Sequence, residues 1–192
     1  MVKKVVDTWK TKQWFEVVSP SIFDSKVIGE VIASDSKNLN NRVVKVGLDE
    51  LTGDFSQAYT AVKLRIVDVK GKSAVTKFIG FEQLPSYVKT FIRRRRTLID
   101  DVIDVITADG QQIRIKPMIY TAGKIAREAE ADIRTTIRKE IKEKAAKTNQ
   151  DDLLREILFK RYGQSLIGSI KKIAPIKRIE IRKLEIKETF AK

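Results

Sequence analysis

The chain of 192 residues is 42% hydrophobic and 33% charged, which is typical of a folded globular protein and argues against a disordered one. It has no cysteine and no histidine, so disulfides, thiol nucleophiles, thiolate zinc sites and the usual general base of enzymes are excluded. Its formal net charge of +14 indicates a polyanionic partner, with nucleic acid the first candidate and an anionic membrane surface the second.

No stretch of the sequence approaches the roughly 18 apolar residues that span a bilayer, and residues 1–7 contain no hydrophobic signal core. We therefore expect a cytoplasmic protein without a membrane partner. No arrangement of residues points to catalysis, a metal or a cofactor, so we also expect that the protein is not an enzyme.

Residues 1–13 are interpreted as a basic N-terminal arm around Trp9. Such an arm is either a disordered terminus or an RNA-binding segment, in which lysines contact phosphates and the indole stacks on an unpaired base. The sequence leaves both alternatives open. The lysines of the arm that we predict to contact RNA are Lys3, Lys4, Lys10 and Lys12.

Short strands and turns follow the arm. Residues 14–18 alternate as a strand that stops at Ser19-Pro20, because proline cannot donate a hydrogen bond to a sheet. Residues 34–41 are polar and predict a loop. Residues 42–48 form a β-branched strand that residues 49–53 turn around.

A first long hairpin is predicted between residues 59 and 81. Its strands, residues 59–69 and 73–81, alternate apolar and polar side chains around the turn Lys70-Gly71-Lys72. Lys70 and Lys72 give this hairpin a basic tip, which we predict to contact RNA. The apolar face of the first strand carries Val62, Leu64 and Ile66.

Four consecutive arginines, Arg93, Arg94, Arg95 and Arg96, stand at the end of a short helix predicted near residues 84–95 and lead into a second hairpin. That hairpin has strands at residues 97–107 and 111–120 and a turn at Ala108-Asp109-Gly110, so we place the arginines on a sheet. No acid lies within three residues on either side of the arginines. We therefore expect phosphate groups to neutralise the charge of these arginines.

Three aspartates in the second hairpin allow another interpretation of the arginines. Asp100, Asp101 and Asp104 lie close enough in sequence to pair with them after folding. A shared magnesium site is less favourable, because Asp100 and Asp104 share a face of a strand while Asp101 points away. We expect the aspartates to pair with nearby arginines.

The C-terminal third of the chain changes to helical patterns. Residues 124–147 predict one amphipathic helix with a small or branched apolar residue at every fourth position. Asp151 or Asp152 is expected to cap a second helix that reaches residue 162, and residues 165–173 predict a third.

The final strand, residues 176–188, alternates apolar and charged residues and slips at Arg182-Lys183, as a β-bulge would make it. On the long helix, acids and bases interleave, so its arginines are interpreted as a solvated face. Basic positions elsewhere are less balanced. The remaining residues that we predict to contact RNA are Arg114, Lys116, Lys171, Lys172, Lys177 and Arg178.

These elements predict an α+β fold. Its core is a strongly twisted antiparallel sheet, or a barrel-like closure of that sheet, built from long hairpins. A C-terminal helical section and a final strand complete it. We expect three parts: the arm at residues 1–13, the β core at residues 14–123, and helices with a terminal strand that packs back on the core at residues 124–192.

Several short motifs, in a fixed order along nearly the whole chain, resemble those of a known family. It is the S-three-A-e (also called S-one-e) family of small-subunit ribosomal proteins, found in archaea and eukaryotes. The motifs are Trp14-Phe15-Glu16-Val17 with Ser19-Pro20 and Phe23; residues 42–48 with Leu51; residues 69–72 with Thr76, Phe78 and Gly80; Asp104-Val105 with residues 107–110; and residues 175–184.

The resemblance implies a structural constituent of the small ribosomal subunit that binds rRNA on the platform near the messenger exit. It also implies neighbouring ribosomal proteins as partners, with messenger RNA and initiation factors as further candidates. The chain lacks the long basic C-terminal extension of eukaryotic relatives and has no cysteine, and both departures favour an archaeal source. The alternative function is a free-standing RNA-binding chaperone that does not associate with ribosomes.

Overall fold

The computed structural model describes residues 9–159 and 161–188, in which helices and strands are mixed as the sequence predicts. The chain divides into two units, Met1–Ile79 and Gly80–Lys192. The predicted α+β class is confirmed. No helix in the described part of the chain is both long enough and apolar enough to cross a membrane.

The first unit is built from β-strands. In chain order they are β1 (Gln13–Val18), β2 (Val27–Ala33), β3 (Val43–Gly47), β4 (Thr60–Lys70) and β5 (Ser73–Gln83), and the unit boundary falls within β5. The β4–β5 hairpin turns at Gly71, whose φ of 63° suits glycine. Neighbouring strands run antiparallel except β1 and β5, which pair in parallel through residues 16–18 and 73–75.

Strand β2 was not predicted, because its residues do not alternate between a buried and an exposed face. Of its seven residues only Ala33 is buried. The predicted apolar face with Val62, Leu64 and Ile66 is confirmed, since each of these side chains is fully buried. The predicted turn at residues 49–53 is a short helix, α1 (Leu48–Thr52), which ends at Gly53 in the left-handed conformation.

Four further strands occur among the described residues of the second unit. They are β6 (Leu98–Asp100), β7 (Ile103–Ile106), β8 (Gln112–Thr121) and β9 (Ile176–Lys187). Strand β8 lies in the middle, with β9 on one side and both β6 and β7 on the other. The predicted hairpin turn is present, and Gly110 there has a φ of 75°. Residues 80–82 of β5 pair with β9.

Pro117 lies beside two irregularities around β8. The single strand predicted at residues 97–107 is split into β6 and β7, and the break lies beside Pro117, which has no N–H to offer a neighbour. On the other side, Lys116 pairs with Lys183 and Pro117 pairs with Ile181, which leaves Arg182 as an extra residue. The bulge predicted at Arg182-Lys183 is therefore confirmed.

The described part of the second unit has four helices: α2 (Pro85–Phe91), α3 (Arg127–Lys147), α4 (Gln150–Leu158) and α5 (Arg161–Ile170). On α3 the isoleucine stripe is buried as predicted, with Ile133, Ile137 and Ile141 fully inaccessible. The predicted cap of α4 is wrong, because Asn149 is its N-cap residue. Helix α5 begins four residues earlier than predicted, so residue 162 belongs to α5 rather than to α4.

Within the first unit the described strands follow the order β2-β1-β5, and β3 pairs with β4. Within the second they follow β5-β9-β8-β6, with β7 also beside β8. In neither unit do the described strands close into a barrel. Of the two alternatives in the sequence prediction, the open sheet is therefore the one found.

Candidate nucleic-acid interface

Two neighbouring segments meet at the C-terminal end of β8, at Thr121. On one side the Thr97 N–H donates to Thr121 Oγ1 at 2.9 Å, and the Thr121 N–H donates to the Thr97 carbonyl at 3.2 Å. On the other side Thr121 pairs with Ile176 of β9, and the next residue, Ala122, donates its N–H to the Pro175 carbonyl at 2.8 Å. Thr97 and Ile176 therefore flank the same residue.

Basic residues lie directly next to both flanking segments. The four arginines end at Thr97, while three lysines surround Pro175-Ile176. Because hydrogen-bonded strands are about 4.8 Å apart, the two segments are about 10 Å apart where they flank Thr121. We call this set the β8 basic surface. It comprises Arg93, Arg94, Arg95, Arg96, Lys124, Lys171, Lys172 and Lys177.

The arginine run lies in a loop between α2 and β6, so the prediction that it sits on a sheet is wrong. The chain leaves α2 at Phe91 and enters a turn at Arg94 and Arg95 before β6 begins. Arg93, Arg94 and Arg95 are exposed and Arg96 is half-buried. None of the four guanidiniums pairs with an acid among the described residues.

Arg95 has a φ of 63°, in the left-handed region that L-residues other than glycine rarely adopt. The other described non-glycine residues with positive φ are Asp24, Ser25 and Asn41, whose side chains are short and polar. A long arginine side chain at such a position is unusual. Strained backbone of this kind is concentrated at functional sites.

The three lysines around Pro175-Ile176 are all exposed. Lys171 and Lys172 follow the last turn of α5, where the Lys171 N–H donates to the Ile167 carbonyl at 3.0 Å. Lys177 is the extra residue of a second bulge, because Tyr120 pairs with Arg178 while Thr121 pairs with Ile176. A bulge redirects the side chain that it carries, so Lys177 departs from the regular alternation of β9.

Lys124 was not among the predicted RNA contacts. Its side chain is exposed, and the N–H of the next residue, Ile125, donates to Thr97 Oγ1 at 3.3 Å. The sequence places Lys124 only at the start of a helix. The signal that would have identified it is its position three residues beyond the end of β8, and this requires knowing that Thr97 lies beside Thr121.

Arg178 was predicted to contact RNA, and its guanidinium is engaged within the protein. Its Nε donates to Glu180, its Nη2 donates to the Tyr87 hydroxyl at 3.1 Å, and its Cζ lies 4.7 Å from the centre of the Phe91 ring. Glu180 also accepts a hydrogen bond from Gln83 Nε2 at 2.9 Å. These contacts fasten α2 to β9 and so fix the start of the arginine loop.

The Arg114 guanidinium also forms hydrogen bonds within the protein. Its Nε and Nη2 donate to the Asp104 carboxylate at 2.7 and 2.9 Å, and Lys187 Nζ donates to the same carboxylate at 2.9 Å. Hydrogen bonds from Arg114 and then Lys187 hold the pKa of Asp104 well below its ordinary value, and the bonds to Asp104 raise the pKa of Arg114. Lys116, the other predicted contact on β8, is half-buried.

The aspartates of the second hairpin pair with arginines. These partners lie outside the arginine run at residues 93–96, with which pairing was the alternative to phosphate binding. Asp101 accepts two hydrogen bonds from Arg138 of α3, and Asp100 lies 3.2 Å from Arg182. These partners are distant in sequence and adjacent only in the fold. No group of three or more potential metal ligands occurs in the part of the chain that the structure describes.

The remaining predicted contacts belong to the first unit or to the arm. Lys70 and Lys72 are exposed at the tip of the β4–β5 hairpin. Lys10 and Lys12 are exposed, and Lys12 Nζ lies 4.3 Å from the centre of a Trp9 ring, so a lysine of the same arm covers the indole. Lys3 and Lys4 lie outside the described residues.

Residues 1–189 match the sequence profile of the Ribosomal S3Ae family. The chain belongs to this family. Among curated proteins, it is 36% identical over 185 residues to small ribosomal subunit protein eS1 of Archaeoglobus fulgidus, a match that covers 95% of this chain and 88% of that one. The protein of the same name from Saccharolobus islandicus is 33% identical over 182 residues, with 95% and 88% covered.

The protein of the same name from Methanothrix thermoacetophila is 34% identical over 177 residues. All three relatives come from archaea. The resemblance identified from the sequence motifs is therefore confirmed. Membership of the Ribosomal S3Ae family assigns the chain a structural role in the small ribosomal subunit, in the cytoplasm, and not an enzymatic one.

Proposed function

We propose that the protein binds the rRNA of the small subunit through the β8 basic surface, on the platform near the messenger exit. The observation that carries the proposal is the meeting of the arginine loop and the lysine segment on either side of Thr121. The position on the platform is the one that the family resemblance implies. Neighbouring platform proteins are the further partners that we propose, with messenger RNA and initiation factors as candidates.

The charges of the β8 basic surface are well suited to a nucleic-acid backbone. Charge-assisted hydrogen bonds from arginine to phosphate are stronger than neutral ones, and the guanidinium fork can contact two phosphate oxygens together. The arginines in the loop have no acid partner among the described residues, so binding to phosphate does not require an existing ion pair to break. Arg114 and Arg178 would have to leave such pairs.

Contacts of this kind position a protein on RNA without reading its sequence. The exposed lysines at the end of α5 and on the bulge of β9 supply point charges beside the loop. We therefore expect recognition to depend on the shape of folded rRNA, which presents phosphates from several strands at once.

The test replaces Lys171, Lys172 and Lys177 with glutamine in the full chain and measures binding to small-subunit rRNA over a range of salt concentrations. A matched control replaces the exposed Lys139, Lys142 and Lys147 of α3 with glutamine, which removes the same charge. For every phosphate that a variant no longer neutralises, the slope of log K against log salt should fall by about 0.7 to 0.9.

We expect the first variant to bind more weakly with a reduced slope, and the control to bind nearly as the unchanged protein does. A further variant with glutamine at all four arginines of residues 93–96 should bind more weakly still, since it removes one more charge. Equal weakening in the β8 variant and the α3 control would show that only net charge matters and would overturn the proposal.

A further inference from the structure

A second feature, in the first unit, has the opposite charge. Residues 46–62 contain no lysine or arginine, although the chain has 39 of them, and they contain the acids Asp49, Glu50 and Asp54. Phe55 lies within this stretch with 86% of its surface exposed, the highest value among the large apolar side chains in the described ranges. Ala58 and Tyr59 beside it are also exposed.

The backbone that carries Phe55 is held firmly. Phe55 begins a 3-10 turn, Phe55–Gln57, and the Asp54 carboxylate accepts bonds from the Ser56 N–H at 3.0 Å, the Ser56 hydroxyl at 2.8 Å and Gln57 Nε2 at 3.2 Å. The Gln57 side chain is itself buried. Just before the turn, the Gly53 N–H donates to the Asp49 carbonyl at 2.7 Å.

An aromatic ring on a fixed backbone is suited to insertion into a pocket of a partner. Binding then costs little conformational entropy, because the segment is already ordered. Buried aromatic anchors of this kind contribute most of the energy of protein interfaces. Single exposed apolar residues are common on protein surfaces, but here the ring, its apolar neighbours and a one-sided charge pattern occur within eleven residues, 49–59.

The charge decides what kind of partner fits. Carboxylates beside Phe55 repel the phosphates of rRNA, so a stacking role on an RNA base is disfavoured. A protein with lysines or arginines around an apolar pocket is attracted by the same carboxylates. Glu50 is exposed and pairs with no base among the described residues, so its charge is available.

We propose that Phe55, flanked by Asp49, Glu50 and Asp54, docks into an apolar pocket on a basic neighbouring protein of the small subunit. This inference rests on membership of the ribosomal family and not on the β8 basic surface. The two proposals can therefore fail separately.

The test places the photoreactive residue p-benzoylphenylalanine at position 55 of the full chain, which is assembled into small subunits that are purified before irradiation. The matched control carries the same residue at position 67, where the natural Val67 is 55% exposed on β4. We expect position 55 to form an adduct with one basic ribosomal protein that position 67 does not label. An adduct with rRNA, an adduct with a protein that is not basic, or no adduct above the control would overturn the proposal.

A second test does not require the photoreactive residue. It measures the affinity of this chain for the purified ribosomal protein that position 55 labels. Phe55→Ala should weaken its binding at least about 30-fold, as loss of an interface anchor does. Adding Glu50→Lys to this variant should weaken the binding further. Val67→Ala alone should leave the affinity unchanged. Because the Phe55 ring is almost entirely exposed, the folded state should survive these changes. Unchanged affinity of a folded Phe55→Ala variant would contradict the proposal.

Discussion

Arg138 of α3 holds Asp101 through two hydrogen bonds, with Nε and Nη2 each 2.7 Å from a carboxylate oxygen. The Asp101 side chain is only 8% exposed, while that of Arg138 is 52% exposed. The pair joins the long helix to the break between β6 and β7. An arginine on a face that the sequence indicates to be solvated therefore has a structural role.

Replacing Arg138 with glutamine should lower the free energy of unfolding, because it leaves a buried carboxylate with fewer partners. We expect a measurable loss, smaller than that for a fully buried pair because the arginine is partly screened by solvent. Urea unfolding measures this. Arg127→Gln, at an exposed position in the first turn of the same helix, is the control and should change stability little.

The same pair predicts a pH dependence. Burial alone would raise the pKa of Asp101, but the hydrogen bonds from Arg138 and the Val102 N–H outweigh burial and hold it below its ordinary value. A carboxyl whose pKa is lowered by folding stabilises the protein above its unfolded pKa of about 3.9 and loses that contribution as the pH falls. The stability difference between the natural chain and Asp101→Asn should therefore shrink below about pH 4. A difference that stays constant into that range would show that the ion pair does not stabilise the fold.

Two glycines of α5 should respond in opposite ways to alanine. A Cβ at Gly163 would lie 2.7 Å from the Ile179 carbonyl oxygen of β9, whereas a Cβ at Gly168 would meet nothing within 4 Å. Gly163→Ala should therefore cost about 1 to 3 kcal/mol, because the helix must move away from the strand. Gly168→Ala should add up to about 1 kcal/mol through helix propensity. Thermal or urea unfolding of both variants checks the order, and equal effects would show that α5 does not pack closely on β9.

Local patterns in the sequence were sufficient for elements whose residues alternate or repeat regularly. The β4–β5 hairpin, strand β9 with its bulge and the isoleucine stripe of α3 all follow from the period of their own apolar residues. Strand β2 has no such period, because both of its faces are partly exposed. Its existence depends on pairing with β1 and not on its own composition.

The candidate site was predictable only in part, because its geometry depends on strand order. Residues 93–96 and 171–172 stand out in the sequence as unbalanced positive charge. Their convergence requires β6 and β9 to lie on opposite sides of β8, which no local pattern specifies. For the same reason the sequence does not reveal that Arg114 and Arg178, two of the predicted RNA contacts, pair with Asp104 and Glu180.

Ionisation of the Tyr120 hydroxyl should lower the free energy of unfolding of the protein at alkaline pH. Burial, followed by the charges of Glu180 and Asp100, raises the pKa of its hydroxyl to about 12. Because an unfolded tyrosine ionises near pH 10, the folded state is favoured below that pH and loses this contribution as the pH rises through about 12. Comparing unfolding free energies of the natural chain and Tyr120→Phe between these values isolates the effect. The phenylalanine variant should lose less stability, and parallel losses would contradict the prediction.

The β8 basic surface is tested most directly by ultraviolet crosslinking of intact small subunits, followed by identification of the peptides of this protein that carry an RNA adduct. We predict adducts on peptides that contain residues 93–96 and residues 171–177. The matched peptide from α3, with Lys139, Lys142 and Lys147, should carry few or none. Adducts on the α3 peptide and none on the two peptides of the β8 basic surface would contradict the assignment of that surface to rRNA.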